Sequence, residues 1–239
     1  MAPSVFRLAS WLAAAAGTVM ASPVERRAVI DHDQVVGFPE TVPAGLVGEL
    51  YLKYKPYLKV FNGCVPFPAV DAAGNTGAGL QTTGASDGDC SKSTGQVYAR
   101  AGTYNGLYAI MYAYYMPKDS PSPGLGHRHD WENGVVWLSE MSENATIVGV
   151  SASAHGKYDA RSSGFEVTDD THSRLGYESI WPLNHQMVFT SVTGGQQPLI
   201  AWESLTDAAR TALQNTDFGS ANVPMKDGSF TNNLANAAV

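Results

Sequence analysis

Charge is scarce in this sequence. Only 15% of its 239 residues are Asp, Glu, Lys or Arg, and the balance is acidic, with a formal net charge of -7. An acidic chain gains nothing from the counterion release that drives nucleic-acid binding. Its net charge does not draw it to an anionic lipid surface either. Nucleic acid is therefore excluded as a partner class, and any membrane or sugar contact must be specific. Long apolar runs are also missing. The one at the N-terminus, Leu8 to Val19, is shorter than the roughly 18 residues a membrane-spanning helix needs. Preceded by Arg7 and followed by small residues around Ala21, it reads as a secretory signal peptide over residues 1–21. The expected location is thus secreted and extracellular. Catalytic signatures are missing too: there is no G-x-S-x-G nucleophile turn, no P-loop and no H-x-H-x-D-H run.

Cysteine is nearly absent. Cys64 and Cys90 are the only two, and in an oxidising compartment they are expected to pair. The segment between them is rich in Gly, Ser, Thr and Asp, so it buries little apolar surface and benefits from a covalent tie. Residues 22–40 form an N-terminal segment whose Arg26-Arg27 pair is either a processing point or an exposed basic pair. Residues 41–239 show no linker and no internal repeat, so one domain is expected. Asn144-Ala145-Thr146 is a glycosylation sequon in an expected surface turn.

Helical spacing of Val42, Leu46, Val47, Leu50, Tyr51 and Tyr54 predicts a helix over Thr41 to Lys55, with Thr41 as cap and Pro56 as stop. A second helix is expected over Ser204 to Leu213. Between them lie β-branched and aromatic runs at 96–99, 107–115, 134–138, 146–152, 187–192 and 198–202, separated by Gly, Pro, Asn and Asp. An all-β core of two packed sheets with helices at its edges follows.

Against this sparse background, GHRHDWE (126–132) crowds two histidines, two carboxylates, an arginine and a tryptophan into seven positions. In a regular strand His127, His129 and Trp131 would share one face and Arg128, Asp130 and Glu132 the other. Gly126 and the preceding Pro121-Ser122-Pro123-Gly124 favour a loop that enters a strand near Trp131, which lets His127, Asp130 and Glu132 converge. Asp119 can reach the same pocket across the loop. One imidazole with carboxylates is a hard ligand set suited to Mg²⁺, Mn²⁺ or Ca²⁺. A solvated hydrogen-bond network is the alternative, and a secreted metalloenzyme is a further one. The H-x-H-x-x-E run slightly resembles cupin ligands, but with a short spacing to the glutamate and no matching downstream histidine.

The heptapeptide and its surroundings, AIMYAYYMPKDSPSPGLGHRHDWE over 109–132, WENGVVWL and QPLIAWESLTDAARTAL, resemble the necrosis- and ethylene-inducing-peptide-like proteins, a family of secreted microbial cytolysins. The resemblance covers nearly the whole chain after the leader and matches the family's single-disulfide type. It implies a mainly β fold, a sandwich of two antiparallel sheets flanked by helices, as in actinoporins and some lectins. It implies a metal site at Asp119, His127, Asp130 and Glu132, with Mg²⁺ or Ca²⁺ as the divalent cation. It implies no enzymatic activity. It further implies recognition of sugar headgroups of glycosyl inositol phosphorylceramide sphingolipids in plant plasma membranes, followed by lysis, necrosis and plant immune responses. A loop of pattern W-x-x-D-H grips the sugar in that family; here it reads WPLNH, giving Trp181, Asn184 and His185. Asn184 keeps the acceptor oxygen of the aspartate and loses its charge. Tyr114 stands where a tryptophan is frequent. Arg128 and His129 are read as structural supports and Trp131 as core packing. A non-lytic, lectin-like binder is the alternative, as is a protein that matters mainly because a plant immune receptor senses segment 109–132. The expected solution state is a monomer.

Overall fold

The computed structural model describes residues 27–179 and 183–239. The leader over 1–21, Arg26 of the dibasic pair and Trp181 lie outside the described residues.

In chain order the elements are β1 (Val29–Ile30), α1 (Leu46–Lys53), β2 (Tyr57–Val60), β3 (Thr76–Gly77), β4 (Val97–Tyr104), β5 (Leu107–Asp119), β6 (His127–Leu138), β7 (Ile147–Ala154), β8 (Lys157–Arg161), β9 (Val167–Thr168), β10 (His172–Ser179), β11 (His185–Phe189), β12 (Leu199–Ala201), a 3-10 turn at Trp202–Ser204, α2 (Asp207–Asn215) and α3 (Phe230–Asn236). Six strands make one sheet in the order β12-β4-β5-β6-β7-β8. A second sheet runs β11-β10-β2, with β9 also on β10. The expected antiparallel pairing holds through the hairpins. Each sheet also carries one parallel edge strand, β12 beside β4 and β2 beside β10, because both arrive by long connections rather than tight turns.

From Asp130 onward, even-numbered side chains of β6 face the second sheet. At Gly134 an added Cβ would sit 2.3 Å from Leu175 Cδ1 on β10, so the sheets meet where β6 has no side chain. Odd-numbered side chains face the C-terminal segment. Trp137 Nε1 donates to the Ala237 carbonyl at 3.0 Å, and Trp131 packs on Phe218. The central sheet is thus covered on both faces, which explains why β5 is buried along almost its whole length.

Both expected helices form, with shifted starts. Thr41 does not cap α1. It bridges Ile200 at the sheet edge, and the helix begins at Leu46 behind Gly45, whose φ of 87° turns the chain sharply. Ser204 belongs to the 3-10 turn, and Thr206 instead caps α2 by accepting from Ala209 N at 3.1 Å. Cys64 and Cys90 are joined, with Cα atoms 4.9 Å apart. Lys118, buried at the end of β5, donates from Nζ to the Ala85 carbonyl at 2.9 Å, tying the disulfide loop to the strand that leads to Asp119. Asn144 is exposed in the turn between β6 and β7.

Candidate metal and headgroup site

The heptapeptide is strand from His127 onward, not a loop up to Trp131. Its pairing with β5 runs out to Asp119 opposite His127. Convergence comes from the backbone of His129, which lies in the left-handed region at φ 61°. That single residue breaks the alternation a flat strand would impose. His129 stays with the aromatic face, its Nδ1 2.6 Å from Tyr115 Oη and its ring against Phe218. His127 turns toward the carboxylates instead. One ligand atom from each of Asp119, His127 and Asp130 lies within 4.8 Å of the others.

The histidine tautomers follow from their neighbours. His127 Nδ1 is 2.7 Å from the His129 carbonyl, so this nitrogen carries the proton and Nε2 presents its lone pair toward Asp119 Oδ2, 3.6 Å away. His185 is fully buried. Its Nδ1 donates to Asp119 Oδ1 at 2.6 Å, and its backbone N–H donates to the same carboxylate at 3.1 Å. The imidazole stacks on Tyr177 with centroids 4.7 Å apart, and Tyr177 Oη donates to Asp130 Oδ2 at 2.7 Å. One stacked pair therefore positions both aspartates.

The electrostatics are unbalanced. Asp119, Asp130 and Glu132 are all buried, and among the described residues their only ion-pair partners are His127 and His185. Burial, and then the charge of Asp119, pushes the Asp130 carboxyl up to about 7. Glu132 is raised well above its ordinary range by burial and by Asp130, against the hydrogen bond it accepts from Ser153 Oγ. Two carboxyls that resist ionisation beside the Asp119 carboxylate are what a bound cation would relieve. Glu132 lies outside the converging group of three but lines the same cavity of about 510 Å³, as do Asn184 and His185.

Arg128 and His129 both close around Gly79. Arg128 Nη1 donates to the Ala78 carbonyl at 2.7 Å, and a Cβ on Gly79 would meet His129 Nδ1 at 2.7 Å and Arg128 Cγ at 2.8 Å. Trp131 packs among Tyr98, Tyr115 and Phe218. Tyr114 pairs with Glu132 across the strands and is fully buried. Sequence reasoning did not find Tyr177, Ser153 or the C-terminal wall of the cavity (Ser220, Asn222, Asn233). No motif marks them, since they reach the site only through long-range folding.

Residues 48–237 match the family described as Necrosis inducing protein (NPP1). The chain belongs to this family. It is 50% identical over 217 residues to NLP effector protein 10 of Phytophthora capsici, covering 89% of this chain and 92% of that one. It superposes on the structure of NLPPya in complex with mannosamine with a TM-score of 0.84 at 50% identity, covering 89% of this chain and 100% of that one. It superposes on the crystal structure of the non-toxic HaNLP3 protein with a TM-score of 0.83 at 42% identity, covering 87% and 98%. Membership of the NPP1 family and likeness to its effectors support a necrosis-inducing, cytolysin-like role. No helix among the described residues is long and apolar enough to cross a membrane.

Proposed function

We propose that the protein is a secreted, cation-dependent cytolysin that binds sugar headgroups of glycosyl inositol phosphorylceramide sphingolipids and damages plant plasma membranes. The observation that carries this reading is the buried, uncompensated carboxylate cluster beside His127, opening on a polar cavity. Asp119, His127 and Asp130 would hold the cation, and Glu132 adds negative charge to the same cavity. The hard donor set favours Mg²⁺ or Ca²⁺. When bound, such a cation supplies a Lewis-acidic centre that complements headgroup oxygens. His185 and Tyr177 orient the two aspartates, so the pocket is built before a ligand arrives. Asn184 offers an amide to the sugar at the rim. NLPPya takes an amino sugar, and the shared fold supports a sugar site here. Membrane damage then follows from docking at the surface rather than from a spanning helix, with the plant's necrotic and immune responses downstream.

A non-lytic binder is the second reading, favoured by Asn184 and by the likeness to the non-toxic HaNLP3 protein. Immune sensing of segment 109–132 is compatible with either. Most of that segment is buried in β5 and β6, so a receptor reads it only after the fold is opened or cleaved. Leaf infiltration tests these readings. Asp130→Ala and Glu132→Ala should each abolish necrosis while keeping the native circular dichroism spectrum. A synthetic 109–132 peptide should raise immune markers without cell death. Full necrosis from both folded variants would sink the role of the cation site.

A further inference from the structure

We propose that the chain is cut between Arg27 and Ala28, and that the α-ammonium so released is seated on Asn75 and Asp71, where it fastens β1 to the segment that braces the candidate cation site.

Arg26-Arg27 is the only adjacent basic pair in the sequence. Endoproteases of the secretory pathway that select paired basic residues cut after the second one and so remove a pro-segment. Arg27 and Ala28 are both exposed, which leaves the bond between them open to such an enzyme. Water adds across that bond. Arg27 leaves as a carboxylate, and Ala28 takes up a proton as an ammonium.

The fold takes hold of the chain one residue after the pair. The Ala28 N–H donates to Asn75 Oδ1 at 2.9 Å, and the Ala28 carbonyl accepts from Thr76 N at 3.0 Å. β1 follows at once, parallel to β3, with Val29 opposite Thr76 and Ile30 opposite Gly77. Asn75 is oriented from behind. Its Nδ2 donates to Asp71 Oδ2 at 2.9 Å, which leaves Oδ1 to face Ala28. Asp71 Oδ1 accepts from the backbone N–H groups of Ala73 and Asn75, at 3.0 and 2.9 Å, and closes the turn. An amide oxygen with a carboxylate behind it is better matched to a cation than to a neutral donor. Charging the donor makes such a hydrogen bond roughly twice as strong. In the uncut chain a peptide N–H uses the seat. In the cut chain an ammonium uses it, with two further donors left for water.

The seat lies on the route to the site. Ala78 N donates to the Ile30 carbonyl at 2.7 Å, and the Ala78 carbonyl accepts from Arg128 Nη1 at 2.7 Å. Gly79, next along, closes against His129, whose left-handed backbone brings the ligands together. β1 is two residues long and Val29 is 69% exposed, so little apolar burial holds it. Its attachment depends on hydrogen bonds, and the first of them is the one that cleavage strengthens.

Two measurements test this. Wild-type protein is secreted from a yeast strain that has its paired-basic endoprotease and from a strain without it, then read by N-terminal sequencing and intact mass. The expected first residue is Ala28 in the first strain and a residue before Arg27 in the second. Any other start in the first strain, or the same start in both, overturns the proposal. Amide hydrogen exchange then compares the chain that begins at Ala28 with one that begins at Ser22 and carries Arg27→Gln. The amides of Thr76 and Ala78 should exchange about five- to tenfold more slowly in the Ala28 chain, the effect of one charge-assisted hydrogen bond in place of a neutral one. Asn75→Ala should bring that ratio close to one. Acetylating the Ala28 amine removes its charge without altering any side chain, and should return the exchange to that of the longer chain. Equal exchange in the free, acetylated and longer chains overturns the seat.

Discussion

Asp130→Asn isolates the electrostatic cost that the candidate site imposes on the cation-free fold. The substitution keeps the shape and an acceptor for Tyr177 Oη but removes the charge. A carboxyl moved from 3.8 to about 7 holds its proton more tightly when folded than when unfolded. The folded state therefore binds more protons between pH 4 and 7, and the contribution of Asp130 to stability falls as pH rises through that window. At 1.36 kcal/mol per pH unit, the full loss is about 4 kcal/mol above pH 7. Glu132 acts in the same direction. His129, lowered to about 4 mainly by burial, acts in the opposite one, adding stability as pH rises from 4 to 6.5. A single pH profile would mix these, so the informative quantity is the difference between variant and wild type. In EDTA, urea unfolding should show the two nearly equal at pH 4 and the Asn variant ahead by about 4 kcal/mol at pH 8. Excess Mg²⁺ or Ca²⁺ should narrow that lead to about 1 kcal/mol, since a cation at about 100 times its Kd adds roughly 2.7 kcal/mol to the wild type alone. A difference that stays flat from pH 4 to 8 in EDTA would refute the assigned cost of burying these carboxylates together.

Other consequences follow from single contacts. Gly79→Ala places a Cβ against His129 and Arg128 at a φ of 65°, and should lower the thermal midpoint by several degrees and weaken cation binding, read by calorimetry. His185→Gln removes the Nδ1 contact that orients Asp119, and should weaken cation affinity about 10- to 100-fold while near-ultraviolet circular dichroism stays native. Replacing Cys64 and Cys90 by Ala should lower stability by about 3 kcal/mol in denaturant unfolding, the effect of opening a loop with a sequence separation of 26.

The strands that form the covered centre of the molecule were legible because burial on both faces writes continuous apolar and aromatic runs, as in β5 with its four tyrosines. The edge elements were not. β2 and β10 are shorter or half-polar strands whose parallel partners lie more than a hundred residues apart, a pairing no local pattern encodes. α3 is a seven-residue helix rich in asparagine, and it owes its position to Phe230 packing under Gly102. At the site, the residue types in GHRHDWE announced cation chemistry, yet the device that joins them was hidden. A left-handed His129 is a tertiary outcome, held by Tyr115, Phe218 and the glycine at position 79. His185 carried a readable name but not a readable place: only the fold shows it buried beneath Asp119.

The central claim is that the crowded charges of residues 126–132 hold a cation that makes a headgroup pocket. Dye release from vesicles containing plant glycosyl inositol phosphorylceramides tests it most directly. Protein with Mg²⁺ should release the dye, EDTA should stop release, and returned Mg²⁺ should restore it, while Asp130→Asn stays inactive throughout. Release that continues undiminished in EDTA would contradict the account.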